Sequence, residues 1–119
     1  MLEWVEQCTR SQMQTEKTLF QKILDGEIPS EIIYQDDDCF VIKDIHPKAP
    51  VHLLIITKKL IPSITDIDAM DKDLMSHLIY TAKNMAAKFD CKGYRLQFNV
   101  GAKGGQEILH LHLHLMGWF

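Results

Sequence analysis

Three histidines stand at alternate positions near the C-terminal end of the sequence: His110, His112 and His114. They lie in a run from Leu109 to Leu115 whose other positions are all leucine. In an extended strand successive side chains point to opposite faces. Leu109, Leu111, Leu113 and Leu115 are therefore expected in the core, and the three imidazoles in a row on the other face. Three chemistries fit such a row. One is a solvated polar face, although such faces ordinarily mix Lys, Thr, Glu and Ser, and histidine is a specialised residue. Another is a metal site. At ~3.3 Å per residue, His110 and His114 have Cα atoms ~13 Å apart, whereas zinc needs nitrogens about 2.0–2.1 Å from one ion. Two neighbours could ligate together, with His52 as a further donor. The third is nucleophilic catalysis, in which one neutral imidazole forms a covalent intermediate and its neighbours orient it, donate to an oxyanion or protonate a leaving group.

The glycines before the row fit the third reading. Gly101, Gly104 and Gly105 allow a backbone loop to approach a ligand closely and to aim N–H groups at an anion. A phosphate held there, with no Walker lysine motif and a histidine to attack it, points to nucleotidyl transfer or hydrolysis.

The elements that must position these residues are legible in outline. Leu19, Phe20, Ile23 and Leu24 mark one face of a short helix, with Gly26 as its stop and Pro29 beyond. Strands are predicted at Ile32–Tyr34, Cys39–Ile42, Val51–Thr57, Tyr94–Val100 and Ile108–Met116. In the fourth, Tyr94, Leu96, Phe98 and Val100 alternate with polar residues, the pattern of a half-buried strand. Asp36-Asp37-Asp38 reads as a solvated turn, because the spacing and glycine of a calcium loop are missing. Pro47 and Pro50 bracket a loop, and His46 within it is taken as surface. Apolar residues from Leu74 to Phe89 recur at helical spacing. They predict a helix over about Asp71–Phe89, with His77 facing outward. Helices flanking strands without regular alternation give an α+β fold with a largely antiparallel sheet.

Bulk properties set the limits. With 119 residues and a net charge of −3, the chain suits one domain. Its slightly acidic balance argues against a nucleic-acid partner. No apolar run approaches the ~18–20 residues of a membrane span. The acidic start, Met1 to Glu6, does not read as a secretory signal. Cys8, Cys39 and Cys91 are odd in number and widely spaced, so free thiols in a reducing, cytoplasmic setting are expected. Residues 1–17 read as an extension and 18–119 as the domain.

Beyond these readings the sequence resembles a known family. His110-Leu111-His112-Leu113-His114-Leu115-Met116 matches the histidine-triad (HIT) pattern, His-φ-His-φ-His-φ-φ with φ apolar. Thr18 to Ile23, Glu27 to Ser30, Tyr34 to Asp37, Asp44 to His52, Gly93 to Arg95 and Gly104 to Glu107 resemble the HINT branch, the histidine-triad nucleotide-binding proteins. The resemblance spans roughly residues 18–117. It implies a five-stranded antiparallel sheet with two main helices, and a homodimer with a ten-stranded sheet. It also implies binding of purine nucleotides such as AMP and GMP, and hydrolysis of nucleoside phosphoramidates with no cofactor required. Zinc is the one metal to consider.

Carried across residue by residue, His112 is the implied nucleophile and His114 contacts the phosphate and helps the leaving group. His110 and His52 support the site. Asp44 matches the ribose-binding acid, and a carboxylate there can accept from both hydroxyls. Phe20, Ile28 and Ile45 fall where the family builds its base pocket, and Asn99, Gly105 and Gln106 on its phosphate side. At Glu107 the animal-type pattern has serine, whereas bacterial-type members often carry Glu. After the motif the family usually continues with Gly-Gly and a tail toward the partner subunit, where this sequence has Gly117-Trp118-Phe119. A dinucleoside polyphosphate hydrolase and a non-catalytic nucleotide-binding module are the alternatives.

Overall fold

The computed structural model describes residues 17–119. The extension expected over 1–17, apart from Lys17, lies outside the described residues, as does Cys8. The first helix, α1 (Leu19–Leu24), is set by a reciprocal cap. Thr18 Oγ1 accepts from the Gln21 N–H, and the Gln21 side chain accepts from the Thr18 N–H. Such a box satisfies two of the amide donors that a helix start leaves open. After the helix, Gly26 adopts φ +83°, the left-handed turn a glycine permits.

Five strands follow: β1 (Ile32–Gln35), β2 (Cys39–Lys43), β3 (Val51–Thr57), β4 (Gly93–Gln97) and β5 (His112–Trp118). They form one antiparallel sheet in the order β1-β2-β3-β5-β4. The long helix α2 (Lys72–Lys88) covers one face. Alternation divides the strands cleanly. Cys39, Val41, Leu53, Ile55, Leu113 and Leu115 pack with Leu78, Ala82 and Met85 of α2. Phe40, Ile42, Leu54 and Ile56 point the other way and meet Phe20 and Ile23 of α1. Both faces of β3 are therefore buried, which explains its nearly unbroken apolar sequence.

The last strand differs from the expected one. It starts at His112 rather than Ile108. The backbone bends at Ile108–His110, and the Leu111 N–H bonds the Ile61 carbonyl at 2.7 Å. Leu109 consequently lies outside the core at 61% exposure, while Leu111, Leu113 and Leu115 are buried. A second difference concerns β4. It is the sheet's edge, and its expected apolar face is exposed, with Tyr94 at 42% and Leu96 at 37%. Nothing else among the described residues covers it.

Gly117 is required by close approach. A Cβ placed there would lie 2.3 Å from Cys91 Sγ and 3.1 Å from Cys91 Cβ. Overpacking of this kind costs roughly 1–3 kcal/mol. Gly117→Ala should lower the urea midpoint, and adding Cys91→Ala should restore most of it. Equal loss in the single and double variants would show that this contact is not the cause.

Candidate active site

The face of the sheet opposite α2 carries a cleft of about 470 Å³, a size suited to a small organic ligand. The register sets its floor. Ile42 pairs with Leu54, Leu54 with His114, and His114 with Gln97, in one row across four strands. His112 faces Ile56 in the next row. His112 and His114 both line the cleft, with ring centroids 5.0 Å apart. His110 does not line it. Its ring is buried at 1% exposure beneath α1, because the bend at residues 108–110 takes it out of the row.

Hydrogen bonds fix the proton positions. His112 Nδ1 lies 2.6 Å from the His110 carbonyl. A carbonyl only accepts, so Nδ1 carries the proton and Nε2 keeps its lone pair. The Phe20 ring stands edge-on to His112 at 4.9 Å and holds its plane. For His52 the logic runs the other way. The Lys48 N–H donates to His52 Nδ1 at 3.0 Å, so the proton of His52 sits on Nε2. That nitrogen lies 3.0 Å from His114 Nδ1, which must accept. Neutral His114 therefore presents an N–H at Nε2. Adjacent imidazoles thus end in opposite tautomers, one with an Nε2 lone pair and one with an Nε2 donor.

His110 is locked the same way. Its Nε2 donates to the Thr57 carbonyl at 2.7 Å, leaving Nδ1 to accept from Thr18 Oγ1 at 2.7 Å. The hydroxyl that caps α1 is thereby also bonded to the triad.

All four imidazoles are held below the ordinary histidine pKa, in each case chiefly because burial disfavours the cation. At His112 the His110 carbonyl and Asp44 oppose the shift without reversing it. His114 is lowered to about 4 by burial and then by His112 and His52. An unfolded chain takes up these protons first, so acid favours unfolding. Their contribution to stability is full above pH 6.5 and declines as pH falls toward about 4. Urea midpoints should fall across that window, and less steeply in His114→Gln. A midpoint flat from pH 7 to 4.5 would contradict this.

The other expected residues distribute as follows. Asp44 Oδ1 accepts the His46 N–H at 2.8 Å, a turn bond, while Oδ2 lies 3.4 Å from His52 Nε2. Asp44 is both a turn former and a lining residue. Ile45 is 82% exposed on the lip of the cleft, with Ile28 and Phe20 on its wall. His46, exposed as expected, also lines the cleft. Asn99 Oδ1 accepts from Gln97 at 2.7 Å, which leaves its amide N–H groups to donate. Gly105 and Glu107 lie on the rim.

Two expectations do not hold. Gln106 is buried and absent from the cleft lining. Its side chain accepts from the Gly101 N–H and donates to the Pro62 and Ile108 carbonyls, which staples the loop from beneath. The glycine loop does not aim its amides outward either. The N–H groups of Gly104, Gly105 and Gln106 bond the carbonyls of Gly101, Ala102 and Gly101 within a tight turn. Glycine composition cannot distinguish a self-satisfied turn from an anion nest. Lys48 was missed by the sequence reading. Its amide sets the His52 tautomer, a backbone role that leaves no signature in side-chain type.

Asp44, His52 and His114 bring one ligand atom each within 4.8 Å of one another, so this corner could hold a metal ion. Of the metal set weighed in the sequence, two neighbouring triad histidines with His52, it keeps His52 and one triad histidine, His114.

Residues 25–119 match the HIT domain. The chain belongs to the HIT domain family. It is 43% identical over 104 residues to the purine nucleoside phosphoramidase of Escherichia coli K12, an alignment covering 86% of this chain and 87% of that protein. The HIT family hydrolase of Legionella pneumophila superposes with a TM-score of 0.82 at 44% identity, covering 87% of this chain and 94% of that one. The HIT family hydrolase of Clostridium thermocellum gives 0.84 at 40% identity, with 87% and 92% covered. The α+β HIT fold, a five-stranded antiparallel sheet with two helices, is the one the sequence implied. No helix among the described residues is long and apolar enough to cross a membrane.

Proposed function

We propose that the protein hydrolyses purine nucleoside phosphoramidates through a covalent nucleotidyl–His112 intermediate. The observation that carries this reading is the pair of opposite tautomers in the cleft. His112 Nε2 attacks phosphorus, and the phosphorus–nitrogen bond to the amine breaks. The amine leaves with a proton delivered through His114 Nε2 and replaced from solvent. Water then attacks phosphorus, the bond to His112 breaks, and the nucleoside monophosphate departs. Burial keeps His112 neutral and therefore nucleophilic.

In this reading Asp44 Oδ2 accepts from the ribose, Ile45 and Ile28 bracket the base, and the Asn99 amide donates to phosphate oxygens; that all four line the cleft supports it. The E. coli relative named a purine nucleoside phosphoramidase supports the substrate class. In this reading the His110 carbonyl frees the His112 Nε2 lone pair, and no metal enters the steps. Adenosine 5′-phosphoramidates with several amines should be hydrolysed to AMP and free amine after exhaustive chelation. Cleavage of a dinucleoside polyphosphate alone, or AMP binding with no turnover of any amine, would overturn the proposal.

The same reading includes a homodimer. The open edge of β4 with Tyr94 and Leu96, beside exposed Ile79 and Tyr80 of α2, suits a second copy of the chain. Paired edges remove an aggregation hazard and extend the sheet to ten strands. Sedimentation should give a dimer mass for the parent and a monomer mass for Leu96→Asp. A monomeric parent would sink this part.

A further inference from the structure

On the α2 side of the sheet, away from the cleft, three side chains converge on one oxygen. Asp36 Oδ1 is occupied by the N–H groups of Asp38 and Cys39, the ordinary bonds of an aspartate turn. Asp36 Oδ2 is approached by Tyr34 Oη at 2.8 Å, His77 Nε2 at 2.7 Å and Cys39 Sγ at 3.8 Å. Three donors meet there, although a carboxylate oxygen offers about two lone-pair directions. The turn needs only Oδ1, so the convergence on Oδ2 requires another account.

The sequence predicts His77 facing outward and a solvated turn at the aspartates. His77 is instead half-buried against that turn. It stands four residues before Thr81 on one side of α2, and Thr81 Oγ1 lies 3.8 Å from Cys39 Sγ. The ligand atoms of Asp36, Cys39 and His77 all lie within 4.8 Å of one another.

We propose that Asp36, Cys39 and His77 bind a divalent cation of the zinc class. A thiolate, an imidazole and a carboxylate form a mixed S, N, O set typical of zinc, whose sites are four-coordinate. His77 lines a depression together with Asp37, Asp38, Asp71 and Asp73, and a water from there would supply the fourth ligand. Those carboxylates give the entrance a negative field that draws cations in. Lys59, in the same depression, is bonded to Asp71 at 2.6 Å. Binding replaces the Cys39 thiol proton, which leaves to solvent, and shifts the His77 proton to Nδ1. The ion would pin α2 to the β1–β2 turn. Cys39 and Val41 face α2 while Phe40 and Ile42 face the cleft, so the two sites lie on opposite sides of the sheet.

The test is titration of the reduced full chain with zinc chloride and, separately, cobalt(II) chloride. One zinc should bind in the parent and in His114→Ala, which removes the rival corner beside the cleft. His77→Ala, at a half-exposed position, should weaken that zinc at least about tenfold and leave phosphoramidate turnover unchanged. Cobalt should show thiolate charge-transfer absorption that disappears in Cys39→Ser and in His77→Ala. No zinc binding by the parent would overturn the site. So would zinc that survives His77→Ala but is lost in His114→Ala, or a cobalt spectrum without a thiolate band.

Discussion

Replacing His112 by asparagine is expected to reduce phosphoramidate turnover by at least about 10³-fold, because none of the three neighbouring imidazoles, His52, His110 and His114, offers the cleft an uncommitted ring nitrogen. The His114 Nδ1 lone pair is taken by His52, and the His52 Nδ1 lone pair by the Lys48 amide. His110 is buried away from the cleft. Asparagine can still donate to the His110 carbonyl, so the cleft keeps its shape. AMP affinity should change only a few-fold. Rate measurements with a fluorogenic adenosine phosphoramidate, paired with AMP titration, separate loss of chemistry from loss of binding. Turnover within tenfold of the parent would assign the nucleophile elsewhere.

The second large effect is on stability. His110→Ala empties a fully buried site and removes the imidazole that bridges the Thr57 carbonyl and the Thr18 hydroxyl. It also removes the edge contact with Phe20. A cavity plus stranded polar groups costs about 2–4 kcal/mol, which for a domain of this size lowers Tm by roughly 10 °C or more. Thr18→Val removes one of those bonds and one cap bond, and should cost about 1–2 kcal/mol. Calorimetry on the three proteins orders them. A His110→Ala variant as stable as the parent would mean that this imidazole does not tie α1 to the sheet.

The helix spacing, the strand positions and the two-faced character of the last strand follow from periodicity in the sequence, and the structure shows them within a few residues. Leu113 and Leu115 face the core while His112 and His114 face the cleft, as alternation requires. Alternation could not show where the strand begins. Leu109 and His110 continue the pattern in sequence, yet the backbone bends at them, just before the Leu111 N–H bonds the Ile61 carbonyl. The edge position of β4 was equally hidden, because an alternating strand reads the same whether its apolar face meets the core or a second chain.

The proton arrangement was the least legible feature. It depends on two backbone groups, the His110 carbonyl and the Lys48 amide, that any residue type other than proline would supply. The Asp36–His77 contact joins positions 41 residues apart and needed the packing of α2 to appear.

The covalent intermediate gives the sharpest test. Parent protein mixed with an adenosine phosphoramidate and quenched during turnover should carry the mass of one adenylate. The label should map to the peptide containing His112, be labile to acid, and be absent from His112→Asn. Steady turnover with no adduct, or an adduct mapped to another residue, would contradict the account.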